Sequence, residues 1–119
     1  MIGDTITVTY NGVANTLDKI NQDNYTSEYL KRTATEELRV RIRHSNESVV
    51  AGKPAYERHQ VDLTRTVFAT STTVERVYQT YMVIRLQKGS DPDVAELVAA
   101  ALCGLTNASF TDKVVGWQS

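Results

Sequence analysis

Leu38-Arg39-Val40-Arg41-Ile42-Arg43-His44 is the stretch that decides the fold of this chain. Arginines at 39, 41 and 43 alternate with Leu38, Val40 and Ile42 in a strict period of two. Successive side chains of a β-strand point to opposite faces, so the segment lays an apolar stripe on one side and three guanidiniums on the other. An antiparallel sheet with one packed and one wet face needs this pattern. Two readings of the charged side stay open. It is a solvated outer surface, or it is a platform for RNA, because the arginine fork matches phosphate and base edges and stacks on flat rings.

The flanking sequence supplies more strands. Residues 5–10 (TITVTY) and 13–18 are β-branched runs joined by Asn11-Gly12. That dipeptide suits a type I′ hairpin turn, which needs positive φ at both central positions. Residues 20–24 read as a turn, and 25–32 (YTSEYLKR) as a short strand, with a helical turn as the alternative. The arginine strand spans 36–46. After a connection containing Gly52 and Pro54, alternation resumes over 56–67, with His59, Val61 and Leu63 on one face and Arg58, Gln60, Asp62 and Thr64 on the other. A Thr/Ser-rich loop over 67–76 leads to a last strand at 77–87. There Tyr78, Thr80, Met82, Ile84 and Leu86 oppose Gln79, Tyr81, Val83, Arg85 and Gln87.

Beyond Gly89 the period changes from two to 3.6. Asp91 is placed to cap a helix whose first residue is Pro92, where the missing amide is harmless. Val94, Leu97, Val98, Ala101, Leu102 and Leu105 form its apolar stripe, giving a helix over 92–106. A shorter helix is expected over 110–117, capped by Ser109, with Trp117 as a core or dimer anchor. Strands followed by helices define an α+β domain, and the sheet spans 25–87 behind the 5–18 hairpin. At 119 residues the chain is one domain, 1–119.

Composition narrows the chemistry. A net charge of -1 argues against indiscriminate coating of nucleic acid, so any binding must come from clustered basic groups. The N-terminus has no basic segment followed by an apolar run, and no apolar stretch reaches the roughly 20 residues of a membrane span, so neither an export signal nor a membrane partner is expected. Cys103 is alone and reads as a small buried thiol. With His44 and His59 it shows no metal-ligand spacing. No phosphate loop, nucleophile elbow or paired-histidine motif is present in the sequence, so no enzyme activity, cofactor or metal is expected.

The strands offer more apolar surface than two helices can cover, and a hairpin folded over the sheet would, on this reading, hide the arginines. A homodimer whose sheets join edge to edge, each long helix crossing onto the partner, solves both problems and removes an exposed edge. Leu97, Val98, Ala101 and Leu102 are the expected interface positions.

The segments LRVRIRHSN, YERHQVDLTRTV, RVYQTYMVIRL, DPDVAELVAAALCGL and FTDKVVGWQS, in that order, resemble the coat proteins of single-stranded RNA bacteriophages, the levivirus family. The resemblance covers nearly the whole chain and rests on size, element order and strand pattern rather than on a short motif. It implies an interlocked homodimer that assembles into an icosahedral shell, made in the bacterial host cytoplasm and residing in the virion. Helices would lie outside, and the opposite sheet face would bind a stem-loop of the viral genome, repressing replicase translation and directing packaging. The RNA-facing positions map to Arg39, Arg41, Arg43, Arg58, Gln60, Tyr81, Val83 and Arg85. Val83 departs from the polar group of familiar relatives. The loop at the symmetry axes would contain Phe68, Ala69, Thr70, Ser71, Thr72 and Thr73. Taken alone, Tyr81 also reads as a cross-strand aromatic partner and Arg58 as an ion-pair partner of Asp62. Competing classes are a small dimeric α+β ligand-binding or isomerase-like domain, which needs a pocket with an acid–base group, and a cellular RNA-binding module.

Overall fold

The computed structural model describes residues 2–118. Six strands form one antiparallel sheet in sequence order: β1 (Thr5–Tyr10), β2 (Val13–Gln22), β3 (Thr26–Arg32), β4 (Glu36–Asn46), β5 (Tyr56–Val67) and β6 (Arg76–Gln87). Two helices follow, α1 (Pro92–Leu105) and α2 (Ala108–Val115). The α+β class and the element order match the expectation from sequence. No single helix among the described residues is long and apolar enough to cross a membrane.

Asn11 and Gly12 both have positive φ, 50° and 78°, so the hairpin turns as its sequence requires and pairs Tyr10 with Val13. β2 runs on to Gln22, past the expected end at 18. Its register against β3 shifts between Lys19 and Asn21, a bulge that bends the strand. The next turn is closed by Asp23, whose Oδ1 accepts from the amides of Tyr25 and Thr26 at 2.8 Å. Those bonds, the Tyr25 amide foremost, hold its carboxyl below the usual range.

The bend sends the hairpin over the apolar face of the sheet. Leu17 and Tyr29, each 0% exposed, form a cluster with Leu38, Val40 and Ile42, against which Ile6, Val8 and Leu63 pack. Three polar contacts seat it. The Tyr29 hydroxyl donates to the Gly3 carbonyl at 2.8 Å, Lys31 Nζ donates to Asn15 Oδ1 at 2.8 Å, and the Arg65 guanidinium lies 4.7 Å from the centroid of the Tyr10 ring. The expectation that a covering hairpin must hide the arginines is therefore corrected: it covers the opposite face.

Asp91 caps α1 as expected, accepting from the Asp93 amide at 3.0 Å. The cap of α2 is Asn107 rather than Ser109, through Phe110 N–H to Asn107 Oδ1 at 3.0 Å, and the helix starts and stops two residues earlier than the 110–117 assignment. Asparagine is as good a cap as serine. Trp117, at φ 67°, lies outside the helix and is 95% exposed, so it is no core residue of this chain. Cys103 is exposed as well, against the buried thiol expected. Among the described residues none in either helix is buried, and α1 meets the sheet chiefly along β6. The radius of gyration is 17.1 Å, against about 13.5 Å for a compact domain of this length.

Leu17 stands at the centre of the buried apolar cluster found among the described residues. Leu17→Ala is expected to lower the unfolding free energy by about 2–5 kcal/mol in urea titrations, as core truncations do.

Candidate nucleic-acid interface and assembly surfaces

Strand register brings the sequence-predicted residues onto one face in rows. Arg39 pairs with Thr64 and Gln79 follows; Arg41 pairs with Asp62 and then Tyr81; Arg43 pairs with Gln60 and then Val83; Arg58 pairs with Arg85. All eight predicted positions therefore share the face opposite the hairpin.

Their electrostatics differ from a bare arginine ladder. Arg39 is clamped by Glu28 on β3 and by Glu37 two residues back, with its Nη2 2.5 Å from Glu37 Oε1. Arg41 Nε shares Glu28 at 3.4 Å. Arg85 is held by both oxygens of Glu47, at 2.5 and 2.9 Å, and lies 4.4 Å from the Tyr56 ring centroid. Hydrogen bonds from Arg39, then Arg32, hold the Glu37 carboxyl below its ordinary range despite partial burial. At Glu28 burial pushes the carboxyl up, but Arg39 and Arg41 outweigh it and the net direction is down. The hydrogen bond from Arg85 likewise lowers Glu47, while Glu37 raises Arg39 and Glu47 raises Arg85.

Arg43 is exposed and has no ion-pair partner among the described residues, and Arg58 makes a single neutral bond, Nη2 to Gln60 Oε1 at 3.2 Å. The anticipated Arg58–Asp62 pair is absent among the described residues. Asp62 is instead 2% exposed between Arg41 and Tyr81, and its Oδ1 has no partner. Tyr81 is 63% exposed and faces Asp62, so it is not in a cross-strand aromatic pair. Carboxylates thus clamp Arg39 at one end of the face and Arg85 at the other, Arg58 feels the Glu47 charge without bonding to it, and Arg43 has no ion-pair partner among the described residues, with an open tyrosine ring between. Glu28, Glu37 and Glu47 went unnoticed in the sequence. Alternation would have found Glu37, but Glu28 needs the β3–β4 register.

The connection between β5 and β6 is residues 68–75, slightly shorter than the expected 67–76. Phe68 ties its base to the β3–β4 turn, N–H to Thr35 O at 3.0 Å. At its tip Thr70 Oγ1 accepts from the amides of Thr72 and Thr73, at 3.3 and 3.0 Å, and the Thr70 amide donates to Thr73 O at 2.9 Å. Ala69, Ser71 and the three threonines are exposed on an ordered turn.

Strand β6 is the last in the sheet and has no neighbour on its outer side. Between it and α1 lies a groove of about 470 Å³, lined by Val94, Val98 and Leu102 against Met82, Ile84 and Leu86. The four expected interface positions therefore divide. Val98 and Leu102 face this groove, whereas Leu97 and Ala101 do not line it; Leu97 and Val98 are 70% and 66% exposed.

Residues 3–87 fit the family model described as "Phage phiCb5, coat protein", a span that takes in all six strands and ends with the last residue of β6. No curated protein matches the chain. A six-stranded curled sheet, two trailing helices and a match over well more than half the sequence place this chain in the phage phiCb5 coat protein family.

Proposed function

We propose that this coat protein acts as an interlocked homodimer that builds an icosahedral shell around a single-stranded RNA genome. Its arginine face lines the interior and binds a genomic stem-loop, repressing replicase translation and marking the genome for packaging. A coat protein is a structural component of the virion, and its synthesis is assigned to the host cytoplasm. The observation that carries the RNA reading is the pairing of free guanidiniums with an open aromatic ring on one face: Arg43 without a carboxylate, Arg58 bound only to a neutral amide, and Tyr81 exposed beside them. Single-stranded loops are recognised in this way, an unstacked base on an aromatic ring with phosphates held by arginine. Arg39, held by two carboxylates, is fixed and neutralised and is not a mobile phosphate ligand. Helices with no buried residue beside an unpaired β6 edge support the dimer.

The ligand-binding alternative finds a groove but not its chemistry. The α1–β6 groove is walled by aliphatic side chains, with Asp91 and Arg85 its only charged lining residues. A second copy of an apolar surface fits that lining better than a polar substrate does.

Two kinds of interaction on the RNA face separate in a salt series. Arg43→Ala is expected to reduce the slope of log affinity against log salt by about 0.7–0.9, one phosphate contact. Tyr81→Ala is expected to leave the slope unchanged and weaken binding by about 1–3 kcal/mol, the value of one stacked base. Gel-shift titrations with RNA recovered from particles measure both, and wild-type binding by both variants refutes the assignment of the face.

Leu97→Asp tests the dimer. On an isolated chain an exposed charge at this position costs within about 0.5 kcal/mol. Beneath a partner the same charge is desolvated, and insoluble protein or dissociated chains are expected in size-exclusion chromatography with light scattering. Deleting residues 70–73 removes the loop tip and no strand, so folded dimers are expected that assemble poorly or into altered particles under electron microscopy.

A further inference from the structure

The arginine face ends, on the side away from the 68–75 loop, in a constellation built around one carboxylate. Glu47, Tyr56 and Gln87 form one cross-strand row there, and Ser45, Arg58 and Arg85 form the next. Arg85 turns its fork on Glu47: Nε donates to Oε2 at 2.5 Å and Nη2 to Oε1 at 2.9 Å. The Tyr56 ring backs the same guanidinium, its centroid 4.4 Å from the central carbon. Arg58 adds a second positive charge that acts on Glu47 without a bond. Two cations and an aromatic ring around a two-oxygen anion make an anion site, and its occupant is a side chain of the same protein. A phosphodiester offers a guanidinium the same pair of oxygens and the same single negative charge.

The occupant is placed to leave. Glu47 opens the irregular connection 47–55, one residue past the end of β4 at Asn46, and its pair with Arg85 is open to water, at 30% and 51% exposure. An ion pair so exposed holds its partners weakly, so another anion can take the place of one of them. The Arg39 clamp is different, because Glu37 lies within β4 and is buried. We propose, on the RNA reading of this face, that Glu47 is a built-in phosphate mimic: it masks a backbone-phosphate site formed by Arg85, Tyr56 and Arg58, and RNA binds there by displacing it. The exchange leaves the charge of the site unchanged, one anion entering as the other swings out, while the ring keeps the Arg85 fork in place. Displacing Glu47 weakens binding equally for every sequence, since a phosphate contact reads no base.

Fluorescence anisotropy of a labelled oligouridylate across a chloride series tests this with the full chain, Glu47→Gln, Arg85→Ala and their double variant, with Arg43→Ala as the reference for the face. Glu47→Gln is expected to steepen the slope of log affinity against log salt by about 0.7, one added phosphate contact, and so to bind about fivefold tighter at about 0.1 M salt. In the Arg85→Ala background the same change is expected to add no slope. Circular dichroism is expected to be unchanged throughout. Inorganic phosphate at equal ionic strength is expected to compete no better than chloride; preferential competition would make this a free-phosphate site and overturn the proposal. A wild-type slope for Glu47→Gln overturns it as well, leaving the pair a staple between connection and strand. So does an equal gain with and without Arg85, which would mean that the carboxylate only repels RNA at a distance. Arg43→Ala judges the face separately: a wild-type slope there defeats the RNA reading itself, whatever Glu47→Gln does.

Discussion

An antiparallel sheet must dry one of its faces, and in this protein a single chain dries only half of one. The bulge between Lys19 and Asn21 swings the hairpin across β3 and β4, where Leu17 and Tyr29 close over Leu38, Val40 and Ile42. Beyond that patch, Val61 and Tyr78 stay exposed on the same side, as do the apolar residues of α1 and α2. Everything else about the molecule depends on this imbalance. The covered half supplies a fold, the open half supplies a surface that needs covering, and the opposite face is left free for charge.

That opposite face balances two demands. Five guanidiniums on one sheet face would repel each other, and the three glutamates Glu28, Glu37 and Glu47 relieve the crowding where the arginines are closest to the chain's own carboxylates. Arg43 is left without such relief among the described residues, and Arg58 has only the nearby charge of Glu47, at the end of the sheet farthest from the 68–75 loop. A polyanion meeting this face would therefore find binding charge concentrated at one end, with a directional bias that composition alone, at net charge -1, conceals.

Local signals in the sequence were reliable where the physics is local. The bounds of β4 and β5, the Asn11-Gly12 turn and the Asp91-Pro92 helix start follow from side-chain alternation, φ preference and capping, all of which act within a few residues. The eight-residue face was legible for the same reason, since period two fixes which side each residue takes. What escaped was set by register or by long-range packing. Residues 20–22 look turn-like but are strand because β3 pairs with them. The clamp of Glu28 on Arg39 and the cross-strand hydrogen bond between His44 and His59 join residues 11 and 15 positions apart. The exposure of Trp117 and Cys103 reflects missing cover, which no periodicity reports.

The helices turn that missing cover into a thermodynamic argument. A 14-residue helix is near the length at which isolated helices are marginal in water, and α1 gains little from its own sheet, meeting it chiefly along β6. Its order must then come largely from whatever buries Val94, Leu97, Val98 and Leu102. In the proposed homodimer that burial is supplied by the partner, so helix formation and association become one equilibrium, with stability rising with protein concentration. The hairpin-covered half carries no such dependence, because its core closes within the chain. Strand pairing and one small core hold this subunit together, while in the proposed homodimer its helices are completed by contact.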